Sequence, residues 1–322
     1  MRWILNQGTF PSANEGHLQG NGNYTDHSVL APSIMQCVQS RSSTAPLQEE
    51  LNALRQEKLD LHAQLFEAAQ IQRKLSGARA LRHGCLHLAS EVFAAAFLPG
   101  DFTIFSQYGS RLFAAHGDIA GKGIVAGMWF TNLAGLLQSY GRPDSCPAQI
   151  ASEVNRHLCY LRPIAPFVTA FVAQIDCVLG EVNYCNAGHF PPVLLRANGQ
   201  TELLQTGGPL LGAIEDAEFD SGRLTLECGD TLVAYSDGVL ECRDPSGEEF
   251  GLDRLLAALR RAGQSSAQAT LMMLLAEVQD FANGSPLSDD VSLTVIQRDA
   301  EGTEHPRVLV NDLSDMPGMQ VG

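Results

Sequence analysis

From about Leu81 to Arg298 the chain reads as short strand-forming segments, separated by turns and interrupted by helical segments. Turn residues join several neighbouring segments as hairpins, and Asn198-Gly199 between two apolar runs predicts a type I′ turn. Because a hairpin imposes antiparallel pairing, this region predicts mainly antiparallel sheets. The predicted strands are CLHLASEVF, SRLFAAHGD, FVTAFVAQID, EVNYCNAG, PVLLRA, TELLQT, DTLVAYSDG and VSLTVIQR.

Four segments between these strands repeat apolar residues at helical spacing. They begin after Gly123 and lie around residues 150–161, 252–259 and 267–281. Strand runs that bracket pairs of helices favour a layered α+β architecture. We therefore expect one domain over residues 81–298, large enough to bury a substantial core.

A heptad pattern precedes this region and predicts a helix over residues 46–80. The helix either self-associates as a coiled coil, which would make a homodimer, or lies as an amphipathic segment on its own domain. Residues 1–45 lack an apolar period and are expected to form a flexible arm, and residues 299–322 a loose tail. The heptad series are Leu47, Leu54, Leu61, Ala68 and Leu75, with Leu51, Lys58, Leu65 and Gln72 between them.

The charge and the cysteines restrict the partners and the compartment. Thirty-six acidic and 21 basic side chains give a net charge of -15, which disfavours nucleic acid and membrane surfaces as partners. The eight cysteines include no CxxC pair, as is typical of reduced thiols. No apolar run reaches the roughly 18 residues that a membrane helix needs. We therefore expect a cytoplasmic protein.

Carboxylates recur beside Gly, Ser or a second Asp in four short segments. Any one of these aspartates would ordinarily be a turn residue. Together they could form an oxygen-only site of the kind that suits magnesium or manganese. The segments are PGDF (Asp101), HGDIAGKG (Asp118), YSDGVLE (Asp237) and SDDVSL (Asp289 and Asp290).

Between Gln70 and Arg298 these motifs resemble a known family. GDIAGKGIVAG, NAGHFPPVLL, GDTLVAYSDGVLECRDPSGEEFG and DDVSLTVIQR are similar, in this order, to segments of the SpoIIE and RsbU-type serine/threonine phosphatases of the metal-dependent (PPM) superfamily. The resemblance implies a four-layer α-β-β-α sandwich of two mainly antiparallel sheets, preceded by a coiled-coil-type helix. It also implies a site for two divalent cations, Mn²⁺ or Mg²⁺, at one end of the sheets.

The resemblance assigns roles to individual residues. Asp118, Asp237 and Asp289 would be catalytic, and Asp118 would bridge the two cations. From the residues alone, Lys122 is either a solvated lysine or a contact for the substrate phosphate. The implied metal ligands are Asp101, Asp118, the backbone carbonyl of Ile119, Asp237 and Asp289, with Asp290 as the alternative to Asp289.

Two positions depart from the family pattern. The chain has PGDFTI where the family often has GGDFYD, so Ile104 replaces a second acid. Ala120 stands where eukaryotic relatives carry a proton-donating histidine, which leaves the proton donor unassigned. His189, in the NAGH motif, is interpreted as a histidine that satisfies backbone groups in its turn.

The sequence hypothesis is metal-dependent hydrolysis of phosphoserine or phosphothreonine on a regulatory protein. The resemblance implies a STAS-domain (anti-anti-sigma) substrate in bacterial partner-switching and stress-response signalling. Because no GxSxG elbow supplies a nucleophile, the chemistry would use water activated by the metal. Two alternatives stay open: a phosphatase-like interaction module that has lost turnover, motivated by PGDFTI, and a coiled-coil scaffold.

Overall fold

A computed structural model describes residues 45–263 and 265–299. The arm and the tail that the sequence predicts, residues 1–45 and 299–322, lie almost entirely outside these residues. The chain divides between Gln64 and Leu65 into two units. The described part of the first unit is residues 45–64, which belong to helix α1 (Ala45–Leu75).

Two sheets form the centre of the second unit. All of their strand pairs are antiparallel except the β6–β9 pair. In spatial order, sheet A contains β1 (Ala80–His83), β2 (Leu86–Phe93), β12 (Val291–Arg298), β11 (Thr231–Tyr235), β7 (Val193–Leu195) and β8 (Thr201–Leu203). Sheet B contains β10 (Gly222–Thr225), β6 (Glu181–Ala187), β5 (Val168–Asp176), β4 (Arg111–Ile119) and β3 (Asp101–Tyr108), with β9 (Gly207–Gly208) beside β6.

Helices cover the outer face of each sheet, so the expected four-layer α-β-β-α sandwich is confirmed. Helices α2 (Ile124–Tyr140) and α3 (Pro147–Tyr160) pack on sheet B. Helix α6 (Ala267–Ala282) packs on β2 and β12 of sheet A, and α5 (Gly251–Ala262) packs on α6. Each of the four helices expected from the apolar spacing is present. The unit also contains the short helix α4 (Asp237–Leu240), which the apolar spacing does not predict.

Two apolar cores hold these layers together. Leu88, Phe171 and Leu232 belong to the core between the two sheets. Phe130 and Leu137 of α2 are fully buried in the second core, between sheet B and its helices. Burying a side chain of this size stabilises the fold by roughly 1.5–3 kcal/mol. The two cores therefore fix both sheets and the strand ends that carry the acidic motifs.

Strand β3 was missed by the sequence interpretation, which treated Asp101 as part of a turn. Its first four residues alternate polar and apolar side chains although all are buried, and the alternation stops at Phe105, so the pattern is short. Strands β1, β9 and β10 have four residues or fewer and were also missed. The eight strands that the sequence predicts are all present.

The predicted type I′ turn at Asn198-Gly199 is wrong, although the hairpin between β7 and β8 is correct. Gly199 has a φ of 86°, but Asn198 does not adopt the positive φ that a type I′ turn also requires. The backbone nitrogen of Arg196 donates to the Gln200 oxygen at 2.8 Å, so the loop contains three residues. The additional residue, Ala197, lets a single glycine supply the left-handed conformation.

The C-terminal end of α1 contacts the sandwich within the second unit. Gln72, at a core-type heptad position, is buried, and its Nε2 donates to the Pro99 carbonyl at 3.0 Å. Gln138 of α2 donates to the Leu75 carbonyl at 3.0 Å. This end of the helix therefore lies on its own domain. Throughout the part of the chain that the structure covers, no helix is long and apolar enough to span a membrane.

Candidate metal centre

Strand pairing brings the acidic motifs to one end of the sandwich. In sheet B, Asp101 at the start of β3 pairs directly with Asp118 near the end of β4. In sheet A, Asp237 follows β11, and Asp289 precedes β12, which is the neighbour of β11. The nitrogen of Gly100, the residue before Asp101, donates to Asp290 Oδ2 at 2.7 Å, so the acidic motifs of the two sheets meet at this end.

The glycine after Asp237 explains how closely the motifs of sheet A approach. A Cβ atom at Gly238 would lie 1.9 Å from the carbonyl oxygen of Asp290, so no other residue fits without moving the backbone. The Gly238 nitrogen also donates to the Asp237 carboxylate at 2.7 Å. Gly238 therefore lets the first turn of α4 hold Asp237 against the Asp289-Asp290 segment.

Burial and mutual repulsion shift the acidity of this cluster. Burial, then the charges of Asp237, Asp289 and Asp290, raises the pKa of Asp118 to about 6. Burial also raises the pKa of Asp237, and the charge of Asp289 adds to this shift. Carboxylates that repel one another in this way gain most from a cation bound between them.

Asp101 is the most buried of the aspartates that the sequence places in the site. It is 2% exposed, and burial holds the pKa of its carboxyl group well above its usual range. Hydrogen bonds from the hydroxyl groups of Ser236 and Ser292 oppose part of this shift. Its Oδ2 atom is buried and has no hydrogen-bond partner among the described residues. An acceptor in this condition is available to a cation.

Asp290 has both carboxylate oxygens engaged by the backbone. Its Oδ1 accepts from the Ala95 nitrogen and its Oδ2 from the Gly100 nitrogen, each at 2.7 Å. The residue is 4% exposed. Asp290 thus ties the loop before β3 to the start of β12, and the neighbouring Asp289 is the acid that stays partly exposed.

Lys122 lies beside Asp289 in the loop before α2. Its Nζ atom is 2.8 Å from Asp289 Oδ1 and 3.1 Å from the Ser288 carbonyl oxygen. The hydrogen bond to Asp289 raises the pKa of Lys122. The lysine is therefore positively charged at the rim of the acidic cluster.

Several oxygens converge on the place where Gly100 lacks a side chain. A Cβ atom at Gly100 would lie 2.7 Å from the carbonyl oxygen of Ile119 and 2.9 Å from Asp118 Oδ1. It would also lie 2.9 Å from the carbonyl oxygen of Gly121. Magnesium and manganese prefer oxygen donors of this kind. The donor set at this strand end therefore fits a hard divalent cation.

Water would have to complete the coordination of such a cation. Within residues 45–263 and 265–299, no three His, Cys, Asp or Glu side chains form a group close enough to hold a metal by themselves. Magnesium commonly keeps several water ligands and uses one or two carboxylates. A site of carboxylates and main-chain carbonyls with space between them agrees with that preference.

Comparison with known proteins places this geometry in a family. The family model of Stage II sporulation protein E (SpoIIE) matches residues 108–299, more than half of the chain. The chain belongs to the SpoIIE family. It is accordingly a protein phosphatase of the SpoIIE and RsbU type within the PPM superfamily, and the expected family resemblance is confirmed.

Individual relatives agree with this membership. The chain is 26% identical to the phosphoserine phosphatase RsbU of Bacillus subtilis over 253 residues, which cover 78% of this chain and 74% of RsbU. It is 33% identical to protein IcfG of Synechocystis over 135 residues, 42% of this chain and 21% of IcfG. The chain thus spans most of RsbU but a small part of IcfG.

A solved structure shows that the fold is shared. The SiaA-PP2C domain of Pseudomonas aeruginosa has a TM-score of 0.64 at 18% identity, with 77% of this chain and all of that domain covered. At this identity the likeness concerns the fold alone. The strand ends that carry the acidic motifs of this SpoIIE-family chain therefore belong to a framework that the SiaA-PP2C domain shares.

Both departures from the SpoIIE-family pattern have a clear place in the structure. Ile104 is fully buried in the core between sheet B and its helices, so it contributes packing and no ligand. Ala120 is exposed, and its nitrogen donates to the Phe167 carbonyl at 2.9 Å. Neither position supplies a proton donor.

The ring of His189 contacts Thr169 of β5, so the expectation that it satisfies backbone groups in its own turn is wrong. The His189 backbone nitrogen donates to Asn186 Oδ1 at 2.8 Å, and its Nδ1 lies 2.9 Å from Thr169 Oγ1. Burial lowers the pKa of His189 to about 4. Burial, then the neighbouring His189 ring at 5.3 Å between centroids, lowers the pKa of His116. Both rings are therefore neutral near neutral pH.

Sequence reasoning missed the residues that support the aspartates. Ser236 and Ser292 are completely buried next to Asp101, and Gly100 shapes the oxygen cluster. Ser236 directly precedes Asp237 in YSDG, and Ser292 lies two residues after Asp290 in DDVS. Their proximity to the acids was a visible signal, but the partner of each hydroxyl depends on the pairing of β11 with β12.

Proposed function

We propose that this chain hydrolyses phosphoserine or phosphothreonine on a regulatory protein, using two divalent cations, Mn²⁺ or Mg²⁺. The observation that carries the proposal is the convergence of Asp101, Asp118, Asp237 and Asp289 at one end of the sandwich, where burial, and then neighbouring charges, raise the pKa values of the first three. Membership of the SpoIIE family supports the reaction class.

Each carboxylate has a separate part in holding the cations. Asp118, partly buried between the two sheets, would bridge them, and the Ile119 carbonyl is an additional donor on the same strand. Asp237 and Asp289 would complete the shell on the sheet A side. Asp101 would present its unpartnered Oδ2 from the sheet B side. We assign Asp290 to loop positioning because both of its oxygens already accept hydrogen bonds.

The residues around this shell prepare it for a phosphate group. Divalent cations, when bound, offset the negative charge of the site and lower the pKa of water toward neutrality. Lys122 can leave Asp289 for a substrate oxygen, because its side chain is about half exposed and pairs in a solvent-accessible position. The carboxylates by themselves would repel phosphate, so substrate binding depends on their neutralisation.

The substrate that we propose is a phosphorylated STAS-domain protein in a partner-switching pathway. RsbU of Bacillus subtilis, to which this chain is similar, is named a phosphoserine phosphatase. A solved Mycobacterium tuberculosis structure of RsbU and RsbW domains has a TM-score of 0.58 at 25% identity, with 71% of this chain and 64% of that chain covered. These two likenesses support a phosphoprotein substrate in signalling.

We further propose that α1 mediates a homodimer and passes a signal to the site. Leu47, Leu54 and Leu61 of the heptad series are 69%, 57% and 49% exposed in the single chain. A second copy could cover them as a coiled coil. At its other end, α1 contacts the carbonyl of Pro99, the residue before Gly100. A displacement of this helix end would therefore reach the loop that precedes Asp101.

Phosphate release is the direct test of the reaction. Purified protein with Mn²⁺ should hydrolyse p-nitrophenyl phosphate and a phosphoserine peptide. Asp118→Asn or Asp237→Asn should each lower kcat/KM by about 10²–10³-fold, as loss of a charged active-site group commonly does. Asp144→Asn, an exposed aspartate between α2 and α3, is the matched control and should keep full activity. Equal activity in all variants would contradict the proposal.

Metal titration separates the proposal from its main alternative. An interaction module that has lost turnover would bind a phosphoprotein but show no metal-dependent turnover. Calorimetry with Mn²⁺, followed by phosphate release from the same sample, distinguishes the two. Tight metal binding together with turnover supports an active phosphatase.

A further inference from the structure

Three apolar side chains at the start of α2 are exposed beside the candidate metal centre. Ile124, Val125 and Met128 come directly after the loop that carries Lys122, and each is more than half exposed. Residues three or four apart on a helix are neighbours, so these side chains form one apolar surface about 6 Å long. Further along α2 the exposed residues are small or polar: Thr131, Asn132, Gly135 and Ser139. The exposed face of this helix is therefore apolar at its end next to the acidic site.

Two more exposed apolar side chains lie on the other side of this loop. The Ala120 nitrogen donates to the Phe167 carbonyl oxygen at 2.9 Å, and Phe167 is more than half exposed. The next residue, Val168, pairs with Leu211 through hydrogen bonds of 2.8 and 3.1 Å, three residues before Ile214, which is also more than half exposed. The apolar rim of the site consists of Ile124, Val125, Met128, Phe167 and Ile214.

Two exposed acids extend the apolar rim beyond Ile214. Glu215 and Asp216 follow it directly. Asn155 of α3, which is buried, holds this segment: its Nδ2 donates to the Ile214 carbonyl at 2.8 Å, and its Oδ1 accepts from the Gly212 nitrogen at 2.8 Å. The backbone that presents the two acids is therefore fixed before a partner binds, which reduces the entropy lost on binding.

The position of the apolar rim identifies what covers it. A phosphoserine whose phosphate group reaches the acidic site brings its own polypeptide across the loop between Ala120 and Ile124. An extended chain spans about 3.3–3.6 Å per residue, so residues up to about three positions away lie within about 10 Å of the phosphoserine. Exposed apolar patches mark surfaces that bind protein, and the charges of Glu215 and Asp216 complement a basic partner.

We propose that the apolar rim and the two adjacent acids dock the substrate polypeptide. They select an apolar side chain and a lysine or arginine within about three residues of the phosphoserine. The inference rests on the proposed function, because it concerns the substrate of the same site. The apolar contacts add affinity for the polypeptide, while Glu215 and Asp216 repel segments that carry a carboxylate at the same place.

Synthetic phosphoserine peptides test this selection on the wild type. Each pool has phosphoserine at its centre and one of the three positions on either side fixed as Leu, Arg, Glu or Ser, with the other positions mixed. With Mn²⁺, we expect phosphate release to be at least about threefold faster for Leu than for Ser at one position, and for Arg than for Glu at another. Equal rates for all pools would overturn the inference.

Val125→Ser together with Met128→Ser tests the apolar part of the rim. For a single peptide with the selected Leu, the ratio of its kcat/KM to that of p-nitrophenyl phosphate should fall by about tenfold, because lost apolar contacts commonly cost about 10–200-fold. The ratio cancels any general loss of activity or of folded protein. Asn132→Ser, on the polar part of α2, is the matched control and should keep the wild-type ratio. A wild-type ratio in the double variant would contradict the inference.

Glu215→Lys together with Asp216→Lys tests the charge selection. This variant should prefer Glu over Arg at the position where the wild type prefers Arg, because both charges of the rim are reversed. Glu181→Lys together with Glu227→Lys changes the net charge equally at the opposite end of sheet B, and should keep the preference for Arg. An Arg preference that survives the reversal at Glu215 and Asp216 would show that these acids do not contact the substrate.

Sedimentation of the same proteins separates the substrate from a second copy of this chain. If the Val125 and Met128 substitutions dissolve a dimer and leave peptide selection unchanged, the rim is a dimer interface and the inference is wrong. Absence of Mn²⁺-dependent p-nitrophenyl phosphate hydrolysis by the wild type would refute the proposed function and the inference with it. Hydrolysis without any selection among the peptide pools would refute the inference alone.

Discussion

Replacing Gly100 by alanine tests whether the oxygen cluster at the strand end is the catalytic centre. The backbone of Gly100 is outside the left-handed region, so alanine adopts it without conformational strain. The effect must come from the new methyl group, which would lie 2.7 Å from the Ile119 carbonyl oxygen and 2.9 Å from Asp118 Oδ1. Both distances are shorter than the 3.4–4 Å of ordinary contact.

The size of the effect follows from the displacement that this overlap requires. Asp118 or the backbone at Ile119 must move by about 0.5 Å, and a misplacement on the order of 1 Å can cost about 10²-fold in rate. We expect Gly100→Ala to lower kcat/KM by roughly 10–100-fold. Overpacking should lower the free energy of unfolding by about 1–3 kcal/mol, which leaves the protein folded.

Hydrolysis of p-nitrophenyl phosphate with saturating Mn²⁺ and urea denaturation are the two assays. Gly135→Ala is the control, because a methyl group there would meet no atom within 4 Å beyond its own helix backbone, and its site in α2 has ordinary helical backbone. That variant should keep full activity and gain about 0.5–1 kcal/mol of stability. Wild-type activity in Gly100→Ala would refute the assignment of these oxygens to the catalytic centre.

Three further substitutions test the roles of single side chains. Asp290→Asn places an amide NH₂ group against one of two backbone N–H donors, so the free energy of unfolding measured in urea should fall by about 1–3 kcal/mol. Asp289→Asn should instead weaken Mn²⁺ binding with little loss of stability. Burial lowers the pKa of His189 from 6.5 to about 4. On acidification the unfolded chain therefore binds a proton before the folded chain does, and the free energy of unfolding decreases as the pH decreases. The stability advantage of wild type over His189→Gln should shrink by about 2 kcal/mol between about pH 7.5 and 5. If the stability difference between wild type and His189→Gln does not change over this pH range, the pKa of His189 is not lowered in the folded protein. Leu137→Ala, in a fully buried site of α2, should lower the free energy of unfolding by about 2–5 kcal/mol. Met128→Ala, on the exposed face of the same helix, is the control and should lower it by less than about 0.5 kcal/mol.

Local patterns were sufficient to predict most of the fold. Strands such as β12 and helices such as α6 have boundaries that apolar spacing and turn residues mark clearly. Strand β3 was missed because its polar and apolar residues alternate only over residues 101–104. The Asn198-Gly199 turn was wrong in type because the dipeptide alone does not report the additional residue, Ala197, in the loop.

The acidic residues of the site could be named from their motifs, but their separate roles could not. Asp289 and Asp290 are adjacent and chemically identical in the sequence. In the structure one pairs with Lys122 at the rim, and the other binds the Ala95 and Gly100 nitrogens inside. Both acids lie in the bent segment before β12, so the conformation of that segment decides which acid can reach a cation.

The carboxylates of the site depend on both sheets. Asp101 and Asp118 come from sheet B, while Asp237 and Asp289 come from sheet A, so the cluster forms once the apolar core between the sheets closes. Packing therefore buries Asp118 and brings the other carboxylates near it, and both effects raise its pKa. Asp290 lies just before β12 of sheet A, and its carboxylate accepts a hydrogen bond from the nitrogen of Gly100, which lies just before β3 of sheet B. This hydrogen bond joins the two sheets. Because backbone N–H groups satisfy the Asp290 carboxylate, this residue can align the two sheets while the other carboxylates stay available to a cation.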